Sequence, residues 1–192
     1  MLRVFLIVVM FFVLYGCQDE VNGNVVTSGT NHTKEQQAEM ESVDINSYVE
    51  VADVFKETGT IKSDGKPYFI VFGANGCVYC DRLKEIVKEN ADIKGFLTTN
   101  YEPYYINVSY FKMHFVEFLD KSVQTSDLVK RYRIIPTPTL VFLSASGKEL
   151  FIYPGFMPKE KFQKALGFFK NPDLENMESK MIKQSFQEFL GD

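Results

Sequence analysis

The chain has 192 residues, 45% of them hydrophobic and 24% charged, which matches one globular domain with appendages and excludes a disordered polymer. The formal net charge is -4 and the 21 basic residues are scattered, so there is no electrostatic footprint for nucleic acid. Three cysteines are too few for a disulfide-stapled scaffold, and at this length none is needed for stability.

The N-terminus places one positive charge, Arg3, before an apolar run from Val4 to Tyr15, the order of an export signal. The run is shorter than the roughly 20 residues needed to span a bilayer, and Gly16, Cys17, Gln18, Asp19 and Glu20 end it abruptly. Leu14-Tyr15-Gly16-Cys17 resembles a bacterial lipobox, which implies that residues 1–17 form a lipoprotein-type signal peptide with Cys17 as the lipidated residue. Tyr15 departs from the small residue usual there. The alternatives are an uncleaved N-terminal helix anchor and secretion into the periplasm. Residues 18–44 lack a sustained period of 2 or 3.6 and read as a flexible tether; His32 belongs to it as a solvated residue.

From Ile45 to Lys56, apolar residues Ile45, Tyr48, Val49, Ala52 and Phe55 predict a helix packed on a sheet. Gly59, Asp64, Gly65 and Pro67 punctuate, and Tyr68–Phe72 is an unbroken β-branched and aromatic run suited to a strand buried on both faces. A small-residue loop, Gly73-Ala74-Asn75-Gly76, leads to a helix beginning at Cys77 with Cys80, Leu83, Ile86 and Val87 along one side. A strand over Tyr104–Val108, an irregular aromatic stretch, a helix over Thr125–Tyr132, strands over Thr139–Leu143 and Glu149–Tyr153, and a helix over Pro158–Phe169 follow. Ser146-Gly147 turns the last strand pair as a hairpin. Residues 171–192 carry Leu174, Met177, Met181, Phe186, Phe189 and Leu190 at helical intervals, an amphipathic C-terminal helix that packs back on the domain or meets a partner.

The order of a buried strand, Gly73-Ala74-Asn75-Gly76-Cys77-Val78-Tyr79-Cys80, a helix, and later Thr137-Pro138-Thr139-Leu140-Val141-Phe142 before a hairpin resembles the thioredoxin superfamily. It is most similar to exported bacterial thioredoxin-like proteins of the SoxW kind, over about residues 45–170. The resemblance implies an α/β thioredoxin fold, a central mixed β-sheet flanked by helices, here with the extra C-terminal helix. It also implies a protein-disulfide oxidoreductase without a cofactor or metal site. Cys77, at a helix N-terminus, faces unpaired N–H groups and the positive end of the helix dipole. Such thiols titrate at about 3.5 to 7.5 rather than about 8.5, which makes Cys77 the nucleophile. Cys80, one turn deeper, is the resolving thiol of the redox disulfide.

By the same resemblance Val78, Tyr79, Thr137 and Pro138 form the substrate-binding loop set, with Pro138 in the cis form and Pro136 as the competitor for that role. Two departures from the family pattern stand out. Gly76 replaces the usual Trp before the first cysteine, and Val71 replaces a buried Asp that accepts the resolving cysteine's proton. Val78-Tyr79 also lacks the histidine of strong oxidants, so the reading is a reductant or isomerase. Its partners are exported proteins with cysteines and a membrane or periplasmic redox donor, on the extracytoplasmic side of a membrane, with no nucleic acid. Rival readings are a Cu(I) metallochaperone using Cys77, Cys80 and His114, favoured by soft thiolates, and a tethered binding module with an inert disulfide. A zinc knuckle lacks the paired ligands it needs.

Overall fold

The structure, a computed structural model, describes residues 44–191. Its elements in chain order are β1 (Thr60–Ile61), β2 (Tyr68–Gly73), α1 (Val78–Glu89), α2 (Ala91–Asn100), β3 (Glu102–Asn107), β4 (Met113–Val116) and β5 (Lys121–Gln124). They continue with α3 (Thr125–Arg131), β6 (Thr139–Leu143), β7 (Glu149–Pro154), α4 (Lys159–Phe169) and α5 (Ser179–Leu190). The main sheet has the order β3-β2-β6-β7, with β2 parallel to β3 and antiparallel to β6. This is the expected mixed sheet flanked by helices.

Every residue of β2 is buried, because the strand separates two cores. Phe69 and Val71 face Leu83 and Val87 of α1 and Phe162 and Leu166 of α4. Tyr68, Ile70 and Phe72 face a second cluster with Val116, Leu128 and Tyr132. A strand covered on both sides has no polar face to alternate with, which is why its sequence is continuously apolar.

Two local predictions are corrected and one helix is added. Residues 44–46 are helical, but from Ser47 to Lys56 the chain forms tight turns and a 3-10 turn at Val49–Val51 in place of a continuous helix. Its bonds run mostly three residues back, Val51 N–H to the Tyr48 carbonyl and Val54 N–H to the Val51 carbonyl among them. That spacing buries Tyr48, Val51, Val54 and Phe55 and leaves Val49 exposed. The irregular aromatic stretch is a β4–β5 hairpin, joined by parallel pairing to β1 in a second, three-stranded sheet. Its burial alternates, Met113 and Phe115 outward, His114 and Val116 inward. An inward histidine and outward apolar residues invert the usual signal. Helix α2 is an addition that the sequence reading did not foresee.

Asp44, assigned by sequence to the tether, is buried here, accepting from the Thr58 hydroxyl at 3.0 Å and pairing with Lys112 at 3.3 Å. The amphipathic C-terminal segment packs back on the domain: Phe186 of α5 is buried against Phe169, Phe151 and Phe168 at ring separations of 4.7 to 5.2 Å. The N-terminal signal, Cys17 and the tether up to residue 43 lie outside the described residues.

Candidate active site

Three neighbouring strand ends build the site. The register Phe72↔Thr139 puts the exit of β2 beside the entry of β6, so the loop carrying Cys77 and the loop carrying Pro138 leave the same end of the sheet. Asn75 braces the first loop. Its N–H donates to Ser109 Oγ at 3.0 Å, its amide to the Tyr110 hydroxyl at 3.0 Å, and its Oδ1 accepts from Asn107 at 2.8 Å. Gly76 takes φ 68°, a left-handed conformation that a Cβ disfavours by about 1–2 kcal/mol. The chain then turns into α1.

Cys77 is the N-cap of that helix, and its sulfur accepts the Cys80 N–H at 3.2 Å. A sulfur so placed replaces a conventional capping oxygen and receives the field of the helix N-terminus. Cys77 and Cys80 form a disulfide with Cα atoms 5.2 Å apart. Their environments differ: Cys77 is partly exposed, whereas Cys80 is 1% exposed. Attack from solvent is therefore geometrically open only at Cys77.

Around the pair lies an apolar rim. Val78 and Tyr79 are exposed, the Tyr79 ring lying 5.9 Å from Phe156 and under the Arg82 guanidinium at 5.1 Å. The cis bond among the described residues is Thr137–Pro138 and not Ile135–Pro136. The Pro138 carbonyl accepts the Gly155 N–H at 2.8 Å, and Thr139 Oγ1 donates to the Pro136 carbonyl at 2.7 Å. Gly155 and Phe156 thus tie the proline loop to Tyr79. Sequence reasoning missed Ile135, which is 90% exposed, and Asn75 and Phe156. The Ile134-Ile135 pair before two prolines was the legible trace of the first; the other two had none.

Val71, on the face of β2 that packs against Leu83 and Val87 of α1, is fully buried and offers no carboxylate. The buried charged side chain on α1 is Lys84, four residues past Cys80, paired with Glu50 at 2.7 Å and Asp81 at 3.1 Å. Burial alone would lower the Lys84 amine, but the hydrogen bonds and charges of these two carboxylates outweigh it and hold it above the ordinary lysine value. Lys84 and Asp81 line a shallow groove of about 400 Å³ that reaches Gly76 and Asn75.

His114 does not join the cysteines. It is 1% exposed, in a strand and not on a helix face, with Nδ1 at 2.7 Å from the Thr58 carbonyl and Nε2 at 2.9 Å from Thr125 Oγ1. The carbonyl can only accept, which puts a proton on Nδ1, while Nε2 faces a hydroxyl that also donates to the Lys112 carbonyl at 3.3 Å. Both ring nitrogens are engaged, so the Cu(I) set of Cys77, Cys80 and His114 is not assembled. Among the described residues no group of three or more His, Cys, Asp or Glu could hold a metal ion.

Residues 54–170 match the family model of the thioredoxin-like domain. No curated protein matches the chain significantly. Among solved structures it is similar to a thioredoxin-fold protein from Helicobacter pylori, with 27% identity, a TM-score of 0.70, and coverage of 77% of this chain and 96% of that one. It is also similar to a thioredoxin from Thermus thermophilus, with 19% identity, a TM-score of 0.43, and coverage of 58% and 86%. A thioredoxin-like protein from Clostridium perfringens gives 21%, 0.38, 57% and 79%. The family match spans most of the chain and brackets the Cys77–Cys80 disulfide at its helix terminus. The chain belongs to the thioredoxin-like family, with the redox-active pair of a thiol-disulfide oxidoreductase.

Proposed function

We propose that the protein exchanges disulfides with exported proteins as a reductant or isomerase, held at the extracytoplasmic face of a membrane through lipidated Cys17. The observation that carries the chemistry is the asymmetry of the pair: Cys77 caps α1 and is open to solvent, while Cys80 is buried. In the reduced protein the Cys77 thiolate attacks a substrate disulfide, forming the mixed disulfide and expelling one substrate thiolate, which takes a proton. Cys80 then attacks Cys77 Sγ, the mixed disulfide breaks, and the second substrate thiolate leaves; substrate is reduced by two electrons and the pair is oxidised. Val78, Tyr79, Thr137 and Pro138 supply the surface on which the substrate segment lies, extended by Ile135.

The absence of a histidine between the cysteines supports a reductant or isomerase, because no imidazolium holds the Cys77 thiolate. Export and anchoring rest on Arg3, the apolar run Val4–Tyr15 and Gly16-Cys17. Oxidised product must be returned by a membrane or periplasmic thiol donor, as in the exported thioredoxin-like proteins of the SoxW kind that the sequence resembles.

The reading is tested by the reduction potential of the pair and by trapping. A potential nearer about -270 mV than about -120 mV supports a reductant, and one at the oxidising end overturns that direction. Cys80→Ser should accumulate mixed disulfides through Cys77, and Cys77→Ser should not. For the anchor, Cys17→Ala should leave the protein soluble or unprocessed; membrane association with normal processing would refute lipidation.

A further inference from the structure

Among the described residues strand β7 pairs with β6 alone and is an edge of the main sheet. The Gly155 N–H bond to the Pro138 carbonyl fixes the alternation of that antiparallel pair. Tyr153 and Phe151 then exchange backbone bonds with Leu140 and Phe142, while Ile152, opposite Val141, directs its N–H and C=O away from β6 toward the free edge.

A groove of about 590 Å³ runs along this edge, between α5 on one side and the end of α3 on the other. Arg131, Arg133, Lys161 and Lys183 line it, against a single carboxylate, Glu149. None of the four cations pairs with a carboxylate within 4 Å among the described residues; Lys161 lies over the Tyr153 ring at 5.4 Å instead. Arg131 likewise lies over the Tyr132 ring at 5.8 Å; cations without a carboxylate partner, gathered in one groove of a chain whose net charge is -4, make a local field for an anionic occupant. They are distributed along the strand, from three helices or helix ends, and do not converge on one point as a phosphate site requires. Between them Phe151, Ile152 and Tyr153 are half-buried, offering apolar contact at alternate positions.

We propose that this groove binds an extended acidic segment of a partner protein as an added strand on β7. Main-chain bonds to Ile152 fix its register, alternate side chains meet the half-buried residues, and its carboxylates meet the four cations. The site is separate from the Cys77–Cys80 pair and needs no thiol chemistry.

The test uses the full chain with its disulfide intact and a cysteine-free fluorescent octapeptide alternating Glu and Val, read by anisotropy. Saturable binding that weakens at high salt is expected, with a loss of about tenfold or more in the Arg131→Glu, Lys183→Glu double variant. The same peptide with Pro at a central position should lose binding to the unaltered protein, because it cannot donate along the edge. Equal binding of the Pro peptide would reduce the groove to an electrostatic patch and overturn strand addition. Equal binding of a Lys-Val peptide, no binding of the Glu-Val peptide, or tighter association with anionic phospholipid vesicles than with the peptide would also overturn it. Because the probe has no sulfur, a failed thiol-exchange assay leaves this result untouched.

Discussion

Gly73 ends β2 and begins the loop to Cys77, and a Cβ built there would lie 1.9 Å from the Tyr105 hydroxyl and 2.4 Å from its ring Cζ. Optimal heavy-atom separations are about 3.5–4.0 Å, so Gly73→Ala requires either ring or strand to move. The ring is hemmed in by Tyr48 at 5.2 Å and Phe55 at 5.7 Å. Overpacking of this kind costs about 1–3 kcal/mol, and the close approach argues for the upper end. Reduced freedom of the unfolded chain returns about 0.4–1 kcal/mol, leaving a net loss of about 2 kcal/mol. With a urea m-value of about 2 kcal/mol/M, the unfolding midpoint falls by about 1 M. Tyr105→Phe keeps Cζ and should rescue little, whereas Tyr105→Leu removes the outer ring and should show favourable coupling with Gly73→Ala of about 1 kcal/mol in a double-mutant cycle. An unchanged midpoint in the single variant, or a cycle without coupling, would refute the argument that this glycine is demanded by Tyr105.

Replacing Lys112 by Met should cost about 3–5 kcal/mol in urea unfolding, because Asp44 would remain buried with only the Thr58 hydroxyl. His114 should make stability fall on acidification. Burial above all, with the Lys112 charge, lowers its pKa from 6.5 against the opposing pulls of the Thr58 bond, Asp44 and Glu57. Its contribution is complete above about pH 6.5 and declines below it, where the unfolded chain takes up a proton that the folded one refuses, by at most about 1.4 kcal/mol per pH unit. His114→Gln should flatten the difference between about pH 7 and about pH 5.5 measured by urea unfolding. The depressed Glu57 carboxyl acts in a lower window: burial opposes the shift, but the Lys112 and Gly59 bonds prevail, so its stabilisation is present above 4.5 and lost as pH falls through the folded value. Phe186→Ala should cost about 3–5 kcal/mol and raise hydrogen exchange across α5.

What the sequence made legible is what short-range physics controls. Tyr68–Phe72 had to be a two-sided strand because nothing in it tolerates water, and Cys77 had to stand at a helix start because Gly76 permits the turn and Leu83 and Val87 continue the buried face. The β4–β5 hairpin was hidden because its inward residue is a histidine whose ring needs the Thr58 carbonyl, 56 residues away in sequence. The segment after Ile45 was misread because Ile45, Tyr48, Val49, Ala52 and Phe55 fit a helical period, whereas the chain buries Tyr48, Val51 and Val54 at the three-residue spacing of 3-10 turns. Asn75 looked like loop filler. Its role depends on Ser109, Tyr110 and Asn107, and that junction exists only once β3 lies beside β2.

The two sulfurs are driven apart by the same helix. At its start the Cys80 N–H reaches Cys77 Sγ, and the helix field stabilises negative charge there. One turn inward, Cys80 is buried and closed to solvent. A thiolate at Cys77 and a thiol at Cys80 are what the first step of exchange needs, since only the exposed sulfur should attack. The second step needs the reverse, because Cys80 must give up its proton before it can resolve the mixed disulfide. Position 71, where the family carries a buried acid, is valine here and offers no carboxylate. On the polar side of α1, Lys84 and Asp81 border the groove reaching Gly76, and Glu50 pairs with Lys84. In the proposed reaction, resolution therefore needs a proton acceptor for Cys80 other than a carboxylate at position 71.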